Sequence, residues 1–195
     1  MATQTVAPAR ESTSLWRTAR AVLALPFTVT VLIPLVILYG SGMEVPSWMS
    51  DEMSMTATVI GTLLVAAGLF LVTRTVMLFH QMGKGSLAPF DPPVHLVVRG
   101  PYRYMRNPMI TGVVAILLGE AFALNSVGLL IYAAVFVSIN AVYFPLVEER
   151  GLLKRFGRDY AEYSQHVPRW VPRLRPWTQP ERANYVASQS QSQSR

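Results

Sequence analysis

The stretch MSMTATVIGTLLVAAGLFLVT, residues 53–73, contains no charged side chain. An α-helix rises 1.5 Å per residue, so about 20 apolar residues cross the hydrocarbon core of a bilayer. The stretches 21–43 and 121–147 are free of charge as well. Only 14% of all residues are charged, against roughly 25% in a typical soluble domain. The sequence therefore predicts an integral membrane protein whose apolar runs form helices.

The ends of the helices are predicted from the charges, glycines and prolines that interrupt the apolar runs. Residues Asn125 and Ser126 alone separate the third run from the fourth, which indicates a tight helical hairpin. The expected fold is an all-α membrane bundle of about four transmembrane helices, at 20–39, 55–82, 108–125 and 127–147.

A fifth helix is expected after the last membrane span, over residues 148–166. Phe156, Tyr160 and Tyr163 recur on one face of this segment, as in an amphipathic helix at the cytoplasmic surface. The predicted domain covers 20–177, between a flexible N-terminal tail at 1–19 and a disordered C-terminal tail at 178–195, which ends in SQSQSQSR.

The distribution of positive charge predicts the orientation in the membrane. All but Arg74 of the 17 Lys and Arg residues lie before the first helix, between the second and third, or after the fourth. Such alternation places both termini in the cytoplasm, in a multi-pass protein of a bacterial-type inner membrane. The net charge of +6 is explained by membrane lipids as partners, and no nucleic-acid motif is present.

The chain has no cysteine, which excludes disulfides, cysteine-bound metal and a thiol nucleophile. Its histidines, His80, His95 and His166, are too far apart for zinc-ligand spacing. We therefore expect no metal site.

Two polar segments on the cytoplasmic side carry the candidate chemistry. The first, PFDPPVHLVVRGPYRYMRNPM at residues 89–109, is rich in proline and glycine and exposes backbone polar groups beside a helix start. The second, residues 148–173, begins with Glu148 and Glu149 where the fourth helix leaves the membrane. A carboxylate at this position can bind a cationic amino group.

These segments resemble the isoprenylcysteine carboxyl methyltransferases and the related phospholipid methyltransferases, which are integral membrane enzymes that use S-adenosylmethionine. The first matching pattern is L-V-x-x-G-x-Y-x-x-x-R-[HN]-P, at Leu96 to Pro108. The paired glutamates follow one hairpin later, and then F-G-x-x-Y-x-x-Y-x-x-x-V-P-R, at Phe156 to Arg169. The resemblance covers roughly residues 56–176.

The resemblance implies that segments 83–112 and 144–173 hold the cofactor, S-adenosyl-L-methionine. The residues that it assigns to cofactor binding are Val94, His95, Leu96, Val97, Tyr102, Asn107, Pro108, Met109, Ile110 and Glu148. The residues assigned to a small lipophilic substrate are Arg106, Phe144 and Glu149. No catalytic residue is assigned, because methyl transfer from a sulfonium depends on alignment and desolvation more than on a base.

Three positions depart from the family pattern. Asn107 stands where eukaryotic members have histidine, and Ile110 replaces a tyrosine. Phe144 stands about where the prenylcysteine enzymes carry a substrate-binding arginine. The accepting atom, whether oxygen, nitrogen or sulfur, therefore stays open between an isoprenylcysteine-like carboxylate and a lipid-like acceptor.

Several alternatives remain at this point. The chain could be an NADPH-dependent sterol-type reductase or a non-catalytic membrane protein. Glu148 and Glu149 could form a solvated helix end paired with Arg150 or Lys154, and Arg106 could be an interfacial anchor. The intramembrane Glu120 could be functional, or simply hydrogen-bonded near Asn125.

Overall fold

The computed structural model describes residues 25–40, 51–82 and 96–178, and the side chains at 51–52 and 79–82 are not considered. The described chain is helical and has no strand. The predicted tail 1–19, nearly all of the tail 178–195, and the candidates Val94 and His95 lie outside it. The helices are α1 (Leu25–Gly40), α2 (Asp51–Met82), α3 (Pro108–Ala123), α4 (Val127–Tyr143) and α5 (Glu149–His166), with a 3₁₀ turn at Gly100–Arg103.

Helices α2 and α3 pack antiparallel with their backbones in contact. A Cβ atom added to Gly61 would lie 2.5 Å from the carbonyl oxygen of Gly119, and one on Gly68 would lie 2.5 Å from that of Gly112. The two pairs have the same spacing along both helices, so they form one continuous seam. Small residues allow such close approach in membranes, where packing replaces the hydrophobic effect between helices.

Helix α1 contains a proline whose missing N–H is compensated by another helix. Residues Thr28–Leu32 form a π-helical turn directly before Pro34. In this turn the carbonyl of Val29 has no backbone donor, because the residue five positions later is Pro34. The hydroxyl of Tyr132 in α4 donates to that carbonyl at 3.0 Å. The proline thus fixes a polar contact between α1 and α4.

The tight hairpin predicted between α3 and α4 is present. Asn125 adopts a left-handed conformation with φ of 47°, which asparagine tolerates better than most residues. The fully buried Ser126 then caps α4, since its hydroxyl accepts a hydrogen bond from the Leu129 N–H at 3.3 Å.

The boundary predicted between the fourth span and the C-terminal helix is different in the structure. Helix α4 continues into α5 through a π-helical turn, Phe144–Glu148. Together they form one continuous helix from Val127 to His166. Pro145 lacks the N–H that a regular α-turn needs, and the wider turn accommodates it without ending the helix. The break comes later, at Gly157, whose φ of 51° kinks α5.

Two helices of the described chain are long and apolar enough to cross a membrane: Met53–Leu78 and the run Val127–His166. Helices α1 and α3 are apolar but shorter.

Candidate functional site

The site is built around a segment after α5 that we call the C-terminal strap, residues 167–178. The strap runs beside the chain that leads into α3. The Arg106 N–H donates to the carbonyl of Pro168 at 2.9 Å, and the Asn107 N–H donates to that of Arg169 at 3.2 Å. Further along, the Trp177 N–H donates to the carbonyl of Arg103 at 2.9 Å. The two polar segments that the sequence singled out are therefore joined through their backbones.

An ionic cluster of Arg106, Glu149 and Arg169 closes this junction. The guanidinium of Arg106 lies 3.0 Å from Oε1 of Glu149. Arg169 donates from Nε to Oε1 and from Nη2 to Oε2, at 2.5 and 2.9 Å. The side chains of Arg106 and Glu149 are only 12% and 17% exposed. Such bidentate, sheltered pairs are geometrically specific.

The neighbouring glutamates have opposite electrostatic environments. Burial alone would raise the pKa of Glu149, but the hydrogen bonds and charges of Arg169 and Arg106 outweigh it, so the pKa is lowered. Burial, and then the charge of Glu149, raise the pKa of Glu148. Within the described chain, no side-chain hydrogen bond or ion pair involves Glu148. Its carboxylate therefore gains stability from any cation that approaches it.

Aromatic side chains of α5 and the strap form a wall behind the cluster. Tyr160, Tyr163 and Trp177 are buried together, and Leu96 packs against them. The hydroxyl of Tyr163 donates to the carbonyl of Tyr102 at 2.7 Å. This contact holds the 3₁₀ turn against α5. Burial, and then the charge of Glu148, raise the pKa of the Tyr102 phenol, which keeps it neutral and able to donate.

Phe144, in the turn between α4 and α5, borders the site. It is 6% exposed, and its ring meets that of Trp170 edge-on, with centroids 5.1 Å apart. An open, apolar surface depression of about 560 Å³ lies along α4 and the turn that follows it; its lining residues are Ser138, Ile139, Val142, Tyr143, Leu146 and Val147.

Two buried donors at the junction have no hydrogen-bond partner within the described chain. They are Nε of Arg106 and Nδ2 of Asn107. Buried donors are almost always satisfied in folded proteins, so unsatisfied ones indicate a ligand or an ordered water. Both belong to the segment that the sequence singled out.

The structure brings together several of the candidate residues. Arg106 and Glu149 are in contact, and Tyr102 and Glu148 are electrostatically coupled. Asn107 directly precedes α3, whose first turn contains Pro108, Met109 and Ile110. Leu96 packs against the aromatic wall, and Val97 next to it is half-buried.

Two of the alternative interpretations are wrong. Glu149 does not pair with its helix neighbours Arg150 and Lys154, which are exposed, but with Arg106 and Arg169. Arg106 is not an interfacial anchor, because its side chain is buried in that pair.

The sequence did not indicate Arg169, Trp170 or Tyr163 as binding residues, although all three contribute to the site. Arg169 is the last residue of the matched V-P-R pattern. Its distance of 20 residues from Glu149 gave no local signal of their contact. The repeat VPRWVPR, residues 167–173, was the available indication that this segment is structured.

Known proteins with similar sequences share these segments. A family model for phospholipid methyltransferases matches residues 56–159. The protein-S-isoprenylcysteine O-methyltransferase B of Arabidopsis thaliana is 37% identical over 78 residues, which is 40% of this chain. The match spans only 39% of that relative's length. The family model covers more than half of the chain and includes Arg106 and both glutamates of the site, so the chain belongs to the phospholipid methyltransferase family.

Proposed function

We propose that this protein is an integral membrane methyltransferase that transfers a methyl group from S-adenosylmethionine to a small lipophilic acceptor. Family membership supports the reaction class. The observation that carries the proposal is the contrast between the two glutamates. Glu149 is neutralised by two arginines, whereas Glu148 is half-buried beside it and makes no side-chain ion pair within the described chain. A site for the ammonium group of an amino-acid moiety requires such a carboxylate.

The described residues fit the proposed cofactor. Glu148 would bind its ammonium group, and the free donors of Asn107 and Arg106 would bind its acceptor atoms. Tyr102, kept neutral by burial, would add a hydroxyl. When bound, S-adenosylmethionine supplies an electrophilic methyl group on a sulfonium sulfur. The protein's own contribution is to hold this geometry and to exclude water with the aromatic wall.

We infer that the chain crosses the membrane about four times with both ends in the cytoplasm. Helix α2 and the continuous helix formed by α4 and α5 have the necessary length. Helix α3 has 16 residues, or about 24 Å, which a locally thinned bilayer accommodates. The cations that flank the helices support one common cytoplasmic side, the side of the ionic cluster.

An acceptor with an apolar body is the substrate class that we propose. The depression along α4 offers an almost entirely apolar surface on the outside of that helix. Phe144 is buried against Trp170, so this position supplies no cation for a substrate carboxylate. The named Arabidopsis relative is an O-methyltransferase of isoprenylcysteine, and the family is named for phospholipids. Isoprenylcysteine and phospholipids are both lipophilic. The residues that we propose to lie nearest to such an acceptor are Arg106, Phe144 and Glu149.

A reductase that uses NADPH is less consistent with the site. Phosphate recognition needs several cations that converge on a free anion site. Arg106 and Arg169 are already paired with Glu149. The matched family consists of methyltransferases.

Calorimetric titration of the purified protein with S-adenosylhomocysteine, with NADPH in parallel, tests the proposal. Saturable binding of the homocysteine compound alone is the expected result. Glu148→Gln should weaken this binding at least tenfold, whereas Glu120→Gln and Asp159→Asn should leave it within twofold. Binding of NADPH alone would favour a reductase, and binding of neither would favour a non-catalytic protein. Equal affinity in all three variants would refute the role of Glu148.

A further inference from the structure

The C-terminal strap exposes two large apolar side chains that nothing in the described chain covers. Val171 is 72% exposed and Leu174 is 100% exposed. Two basic residues lie next to Leu174: Arg175 is exposed, and the half-buried Arg173 donates from Nη1 to the carbonyl of His166 at 2.7 Å. The opposite side of the strap is anchored, because Val167 and Trp177 are buried in the aromatic wall. The strap therefore has one face fixed on the protein and one apolar, basic face turned outward.

The position of the strap relative to the membrane helices indicates what this outward face meets. The Thr111 hydroxyl in the first turn of α3 donates to the carbonyl of Trp170 at 3.2 Å. The ring of Trp170 packs on Phe144, directly after α4. The strap thus crosses the ends of two helices at the level where the proposed topology has them emerge from the bilayer. Trp and Arg are typical of this level of a membrane.

We propose that the outward face of the strap docks on the membrane surface, with Val171 and Leu174 inserted between acidic lipids. The exposed Arg175 would lie at the phosphate groups, where positive charge is favoured. The inference rests on the proposed topology and not on methyl transfer. It also gives the membrane a structural connection to the site, because the strap carries Arg169, the partner of Glu149.

A bilayer fits this surface better than a soluble protein does. The exposed apolar surface is narrow, two side chains between arginines, and it is part of a chain already held at the membrane. Pro172 and Pro176 restrict the backbone on either side of Leu174. Such a short, rigid element with apolar tips and cationic flanks has the composition of an interfacial anchor.

Site-specific labelling tests the proposal directly, because the chain has no cysteine of its own. The full chain carrying Leu174→Cys would be labelled with a nitrobenzoxadiazole fluorophore and placed in nanodiscs that hold one copy. The discs would contain phosphatidylcholine and phosphatidylglycerol, with spin-labelled acyl chains as quenchers. The matched control is Gln165→Cys, at an exposed polar position of α5. Labelled Leu174 should be quenched at least threefold more strongly than labelled Gln165.

Equal quenching at both positions would overturn membrane docking. A second comparison tests the charge component by adding Arg175→Glu to the labelled chain. Quenching at Leu174 should then fall by half or more in discs with phosphatidylglycerol. No change on this substitution would refute the role of acidic lipids. Neither readout requires cofactor binding or turnover, so a failure of the proposed enzymatic function would leave this test unaffected.

Discussion

Arg169 and Glu149 form a two-point ion pair, with N–O distances of 2.5 and 2.9 Å, that ties the strap to the beginning of α5. The same carboxylate neutralises Arg106. One side chain thus holds together three segments that are distant in sequence. Glu148 precedes it by one residue and takes no part in this cluster.

Glu149→Gln is expected to destabilise the protein by roughly 2–3 kcal/mol. This is below the range of about 3–5 kcal/mol for breaking a buried pair, because Arg169 is partly exposed and its interaction is screened. The loss would be measured from equilibrium unfolding in detergent, with the exposed Asp159→Asn as control. An effect no larger than that of the control would contradict a structural role for the cluster.

The ion pair of Arg169 and Glu149 predicts that the wild type and Glu149→Gln differ in how their stability responds to acid. The folded protein holds the pKa of Glu149 below its usual value, so the pair stabilises the native state at neutral pH. This contribution is lost as the pH falls through the lowered pKa. The wild type should therefore lose more stability on acidification than Glu149→Gln does. Parallel curves of unfolding free energy against pH would contradict this expectation.

Binding of S-adenosylhomocysteine should weaken at mildly acidic pH through protonation of Glu148. Burial raises the pKa of Glu148 above its ordinary value of 4.5, and only the ionised form attracts an ammonium group. Affinity should fall as the pH drops through this raised pKa. In Glu148→Gln the same titration should be flat. A pH midpoint of wild-type binding at or below 4.5 would argue against a buried Glu148 carboxylate that has no ion-pair partner.

Gly68→Ala is expected to disrupt the seam between α2 and α3. The added Cβ would lie 2.5 Å from the Gly112 carbonyl oxygen, which is backbone and cannot turn aside. We expect a loss of about 2–4 kcal/mol, in the upper range for overpacking. Gly151→Ala is the matched control: nothing lies within 4 Å of its Cβ. That substitution should stabilise the helix by about 0.5–1 kcal/mol. Thermal unfolding of both variants would decide the question.

Tyr163→Phe removes the hydroxyl that donates to the Tyr102 carbonyl. The expected cost is about 1–2 kcal/mol, because a sheltered acceptor loses its partner. The exposed Tyr143→Phe should have no measurable effect, since its ring only meets Phe144 edge-on. Equal melting temperatures for the two variants would mean that the 3₁₀ turn does not depend on this bond.

The sequence predicted the helices well because their signals are local. Uncharged runs, Pro108 at a helix start and Asn125-Ser126 at a turn each act within a few residues, and the structure has these features. The boundary at Glu148 was placed at the change from apolar to charged residues. The composition changes at this point, but the helical hydrogen bonding of the backbone continues, because a π-helical turn accommodates Pro145.

The assignment of site residues stays a prediction. The resemblance assigned Glu148 to the cofactor and Glu149 to the substrate, but the local sequence does not show that the two carboxylates have different environments, because adjacent residues of one type look alike. The difference arises from Arg169, which approaches only Glu149. That contact depends on the path of the strap, and the path depends on backbone bonds that involve no particular side chain.

The glycine seam between α2 and α3 has a consequence for how an acceptor reaches the site. Gly61 and Gly68 leave the two helix backbones in direct contact over two turns. An acyl or prenyl chain is far wider than the space between the two backbones. No such molecule can therefore pass between α2 and α3 from the bilayer. The lipophilic acceptor of the proposed reaction would therefore have to reach the site by a path other than the one between α2 and α3.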